Sequence, residues 1–98
     1  MAEAITETRV VEVSPRVLEI FRKEAQRAVV TLRETAANGD IKLFTITVHS
    51  MKSAFSNVNE KERAEAAGAL EDAGRKGDLD FISANAENFI KSLEEYFK

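Results

Sequence analysis

His49 is the one histidine in a chain of 98 residues that contains no cysteine. It lies in the run Val48-His49-Ser50-Met51-Lys52-Ser53-Ala54-Phe55. These residue types allow a short list of chemistries. With no second histidine, zinc would need several carboxylates gathered around one imidazole. Thiol nucleophiles, disulfides and thiolate metal sites are excluded. Charge-relay hydrolysis would need a nucleophile beside a base that a third group orients. Ser53 lies one helical turn away, but nothing supplies an oxyanion hole. No glycine-rich loop cradles nucleotide phosphate, so the chain is not expected to bind ATP itself. What remains is histidine as the nucleophile. A neutral imidazole nitrogen carries a lone pair and attacks phosphorus without a separate general base. Lys52, at i+3 on a helix, would come within reach of a phosphoryl group on His49. Ser53 and Ser56 are small, would let a partner protein close over the ring, and offer hydroxyl donors. Phosphoryl transfer depends mostly on positioning and charge stabilisation, so much of the machinery can belong to that partner.

For this to work the histidine must face water. Around a helix over 41–58, successive side chains are about 100° apart. With Met51 at the centre of the apolar face, Phe44, Thr47, Val48, Ala54, Phe55 and Val58 fall within about 60° of it. His49 falls at about 160°, nearly opposite. Lys42, Thr45, Lys52, Ser53 and Ser56 share its side, and Lys42 and Thr45 read as part of a docking surface.

The rest of the chain supplies helices to hold this one. Ser14-Pro15 is a helix start, with a capping hydroxyl and a proline at the first helical position. Leu18, Phe21, Ala25, Ala28, Val29, Leu32 and Ala36 then recur at three- and four-residue steps, which predicts a helix over about 15–37. Asn38-Gly39 ends it and Asp40 caps the next, so the second helix returns antiparallel to the first. Asn59 with Glu62 resembles a capping box for a third helix over about 60–75, with Arg63, Ala66, Ala67, Leu70 and Ala73 as its stripe. Gly77-Asp78 repeats the punctuation of Gly39-Asp40. A fourth helix then carries Leu79, Ile82, Ala86, Phe89, Ile90, Leu93 and Phe97 on one face. The expected architecture is all-α: an antiparallel up-and-down four-helix bundle over 14–98, preceded by an N-terminal extension, 1–13, for which a short helix is one reading.

Composition agrees with one small globular domain. Apolar residues make up 44% with six Phe, enough for a core, while a single Pro and four Gly leave long helices uninterrupted. Net charge is −3 with the signs interspersed, so no basic tract points to nucleic acid. No apolar run reaches membrane-spanning length and no signal-peptide pattern opens the chain. The expectation is a soluble, monomeric, cytoplasmic domain, or the cytoplasmic part of a membrane-anchored sensor.

His49-Ser50-Met51-Lys52-Ser53-Ala54 resembles the signature of histidine phosphotransfer (HPt) domains, in which histidine is followed by any residue, an apolar residue, lysine and a small residue. Asn57-Val58-Asn59 is similar to that motif's continuation. Ala69 to Gly74 and Lys76-Gly77-Asp78 resemble the family's third helix and following turn, and Phe21 to Leu32 its first hairpin helix. The similarity covers about residues 15–97 and is closest to HPt domains at the C-terminal end of hybrid sensor histidine kinases. Ser53 and Asn59 stand where glycine is usual. Both are tolerable, Asn59 because asparagine accepts left-handed backbone better than most residues. The resemblance implies a phosphorelay intermediate without turnover of its own. His49 would take a phosphoryl group from an aspartyl phosphate on a response-regulator receiver domain and pass it to another. Magnesium would sit in the receiver, and no cofactor or metal is expected here. A histidine kinase in the same chain is a further expected partner. Glu71 falls where the family often has a polar residue near the site, and it reads as a solvated acid. Gly68 and Gly74 read as close-packing positions. One alternative is a helical adaptor that binds a receiver or kinase without carrying phosphate. Another is the phosphoacceptor domain of a chemotaxis-type kinase, charged from ATP by a separate kinase domain. An acidic residue beside the histidine would favour that last reading, and neither Val48 nor Ser50 supplies one.

Overall fold

The computed structural model describes residues 13–98. Most of the expected extension, residues 1–12, lies outside the described residues. Four helices follow in order: α1 Pro15–Asn38, α2 Ile41–Asn57, α3 Lys61–Lys76 and α4 Leu79–Glu94. They form the expected all-α, up-and-down bundle, elongated to 53 × 24 × 18 Å. Each helix packs on two neighbours, α1 on α2 and α4, and α3 on α2 and α4, so the four close into a ring around one core.

The helix ends follow from the punctuation. The Ser14 hydroxyl accepts a hydrogen bond from the Val17 N–H at 3.2 Å, and Pro15 occupies the first turn. Gly39 and Gly77 end α1 and α3 at φ 82° and 74°, left-handed values that side chains disfavour. Asp40 and Asp78 then cap α2 and α4, each Oδ1 accepting a backbone N–H at 3.1 Å. The α2–α3 turn differs from expectation in its N-cap and agrees with it in the left-handed Asn59. The N-cap of α3 is Glu60, with no side-chain cap bond, and Asn59 stands at φ 63°. A reversal in three residues needs one left-handed position, and Asn59 takes it. The N–H groups of Val58 and Glu60 both return to the Phe55 carbonyl and satisfy the end of α2.

The core matches the apolar stripes with local exceptions. Phe21, Leu32, Phe44, Val48, Met51, Phe55, Leu70, Ile90 and Leu93 are buried, and Thr47 is half-buried. Ala36, Ala66 and Leu79 face outward instead. Thr35 is buried in α1, its hydroxyl donating to the Thr31 carbonyl at 2.8 Å. Arg63 is half-buried, its guanidinium over the Tyr96 ring at 5.4 Å. Among the described residues no helix is long and apolar enough to cross a membrane.

Candidate functional site

The site sits where α2 and α3 approach most closely. The approach is set by small residues: Ala64, Ala67 and Ala73 line the buried face of α3. A Cβ on Gly74 would collide with the Thr45 hydroxyl, and one on Gly68 would come 3.4 Å from Cδ of Lys52. The close-packing expectation holds at Gly74, whereas at Gly68 a Cβ would make only ordinary contact with the lysine side chain. Thr45 therefore lies in the seam between helices, half-buried, with its hydroxyl donating to the Ile41 carbonyl at 2.7 Å.

His49 projects from α2 with 55% of its side chain exposed. Its Nδ1 is 2.8 Å from Oε2 of Glu71 on α3. Lys52 Nζ is 2.9 Å from the other oxygen of the same carboxylate. Arg75, one turn on from Glu71, reaches Oε2 with Nη2. Glu71 is thus not the solvated acid the sequence suggests. Its side chain is 4% exposed, and it joins two helices through three basic side chains. A buried carboxylate needs such partners, because the ionised form loses its water. The Lys52 ammonium beside it holds its pKa down from 4.5 to about 2, against the upward push of burial and with further help from His49.

The ionised carboxylate decides the tautomer. It can only accept, so Nδ1 of His49 must carry the proton and donate to Oε2. The lone pair is then on Nε2, which has no hydrogen bond among the described residues and sits on the exposed ring. The result is a solvent-facing nitrogen nucleophile on a ring fixed from behind.

The other expected positions frame the ring without touching it. Ser53 and Ser56 are exposed and line a groove between α2 and α3 with Lys52 and Lys61. Lys42 is exposed further up α2. On the other flank a cleft between α1 and α2 is lined by Glu24, Arg27, Ile46 and Ser50, with Ile46 itself 53% exposed. Glu71 and Arg75 were not legible as functional. The signals for Glu71 were its place where the resembled family often has a polar residue near the site and its i+7 spacing from the buried Ala64; Arg75 follows four residues on. Among the described residues no cluster of three or more His, Asp or Glu could hold a metal ion.

Compared with known proteins, the chain matches no family model, no curated protein and no solved structure.

Proposed function

We propose that this chain is a histidine phosphocarrier of the HPt type. His49 accepts a phosphoryl group at Nε2 from an aspartyl phosphate on a receiver domain and passes it to another receiver, in two-component signal transduction. One observation carries the reading: an exposed imidazole whose inner nitrogen is committed to a buried, ionised Glu71, leaving Nε2 open. The charge around it suits the task. Lys52 and Arg75 together outweigh Glu71 by one positive charge, so an arriving phosphoryl group meets a net cationic surface. The Lys52 ammonium, held on Oε1 of Glu71, adds positive charge beside the ring. The exposed Ser53 and Ser56 on one side, and Ile46 on the other, leave room for a partner to dock over the ring.

The test is phosphotransfer from phosphorylated receivers with magnesium, followed by mass mapping of acid-labile phosphate. Label is expected on His49, and His49→Gln is expected to fold and take none. Retained label in His49→Gln would overturn the reading. No label from any receiver or kinase on a folded chain would leave the adaptor reading in its place.

Glu71 also favours a second reading. It supplies in space the acidic neighbour that Val48 and Ser50 do not supply in sequence. A carboxylate behind the ring orients Nε2 toward solvent, where ATP on a chemotaxis-type kinase domain could serve as donor. Labelling that requires a kinase domain and ATP, with receivers inert as donors, would select this reading.

A further inference from the structure

We propose that residues 5–12 of this chain lie as an extended strap in the groove between α1 and α2, covering the flank of His49 on which Ile46 and Ser50 stand.

The groove has an order of its own. Val17, Ile20, Glu24, Arg27 and Thr31 recur along α1 at alternating steps of three and four residues, so they form one stripe. Glu24, Arg27 and Thr31 line the cleft with Ile46, Thr47 and Ser50, so the stripe faces α2. Ile20 is 49% exposed on it, and Ile46 is 53% exposed across the cleft. Glu24 and Arg27 are exposed one turn apart, and neither has an ion-pair partner among the described residues. Apolar side chains at both ends, with an acid and a base between them, suit a covering segment that carries the complementary order.

The residues just before α1 carry that order. Ile5-Thr6-Glu7-Thr8-Arg9-Val10-Val11-Glu12-Val13 is rich in β-branched residues, which favour an extended backbone. In an extended chain every second side chain shares a face, which groups Ile5, Glu7, Arg9, Val11 and Val13. Val13 is packed against the core where α1 begins. For a chain turned back along α1 from there, Val11, Arg9, Glu7 and Ile5 fall about 7, 13, 20 and 26 Å along the groove. Ile20, Glu24, Arg27 and Thr31 stand about 8, 14, 18 and 24 Å above Pro15. The two ladders match in spacing and in chemistry. Val11 comes to Ile20, Arg9 to Glu24, Glu7 to Arg27, and Ile5 to the Thr31 and Ile46 end of the cleft. The groove between α3 and α4 is also apolar, but its charged lining, Glu62 and Arg63, is confined to one end and offers no such ladder. A receiver that docks on the Ile46 flank must displace the strap, a consequence that rests on the phosphocarrier reading.

The chain has no cysteine, so an introduced pair cross-links without background. The experiment compares disulfide formation under mild oxidation in Ile5→Cys with Ile46→Cys and in Ile5→Cys with Phe81→Cys, the latter an exposed position in the α3–α4 groove. The Ile46 pair should close about tenfold faster, because a docked segment has a higher effective concentration at its site than a free one. Glu7→Arg should slow that closure about threefold, the range of an exposed ion pair, and adding Arg27→Glu should restore it. With the Ile46 pair closed, receiver-driven labelling of His49 should fall about tenfold and return on reduction, since only the open fraction can bind. Equal rates for the two pairs, a faster Phe81 pair, or a cross-linked dimer in place of the internal bond overturns the strap and leaves the phosphocarrier reading standing. Unchanged receiver labelling in the closed form overturns its bearing on docking. No label at His49 from any donor overturns the phosphocarrier reading, and the cross-linking rates still decide the strap.

Discussion

Glu71 is a stability element as well as the partner of the proposed phosphoacceptor, and pH tests the first of these. Its pKa is lowered from 4.5 in the free side chain to about 2 in the fold. A depressed carboxylate stabilises the folded state in full above its ordinary pKa, and that contribution is lost as pH falls through the folded value. Thermal midpoints should therefore drop between about pH 4.5 and 2, and the Glu71→Gln variant should show a shallower drop over that window. Lys52→Ala leaves one carboxylate oxygen without its cation, at a cost of about 1–3 kcal/mol in urea unfolding, and should slow phosphoryl transfer with the bundle intact. At this scale the sequence was half legible. His49 and Lys52 are three residues apart on one helix, and their shared face follows from periodicity alone. Glu71 lies 22 residues from His49. Their meeting depends on the register between α2 and α3, which no periodicity within either helix reveals. An acid among exposed acids and an acid at the seam look the same until that register is known.

That register is an element-scale property and hangs on small residues. Gly74 and Thr45 occupy one space between α3 and α2. Gly74→Ala should overpack it and cost about 1–3 kcal/mol, with a loss of His49 labelling because Glu71 moves with its helix. Adding Thr45→Ala removes the hydroxyl and methyl that collide and should recover much of both. Equal losses in the single and double variants would show that the helices do not meet there. The helix limits themselves were readable to within a residue or two, except that α4 ends at Glu94, short of the Phe97 expected on its face. Ser14, Gly39-Asp40 and Gly77-Asp78 each satisfy backbone groups locally, and local chemistry is what a sequence displays. At the α2–α3 turn the left-handed backbone of Asn59 was legible but the N-cap was not, since it is Glu60 rather than Asn59.

Across the whole molecule the ring of four helix contacts keeps the core and the site apart. Phe21, Phe55, Phe89 and Tyr96 form a cluster with ring centroids 4.7–6.1 Å apart where α1 begins and α4 ends. Phe55→Ala should cost about 3–5 kcal/mol, yet the variant, while folded, should still take label on His49. Arg33 joins α1 to Glu87 and Glu94 of α4 at the surface, and Arg33→Ala should leave the thermal midpoint almost unchanged. The aromatic cluster has one more consequence. Tyr96 is the single tyrosine of a chain without tryptophan. Near-ultraviolet absorbance and intrinsic fluorescence therefore watch one spot, a half-buried phenol wedged against Phe21 and under Arg63. The protein carries its own optical reporter of global unfolding, placed away from the imidazole, so a melt can be read during phosphorylation without the chemistry colouring the signal.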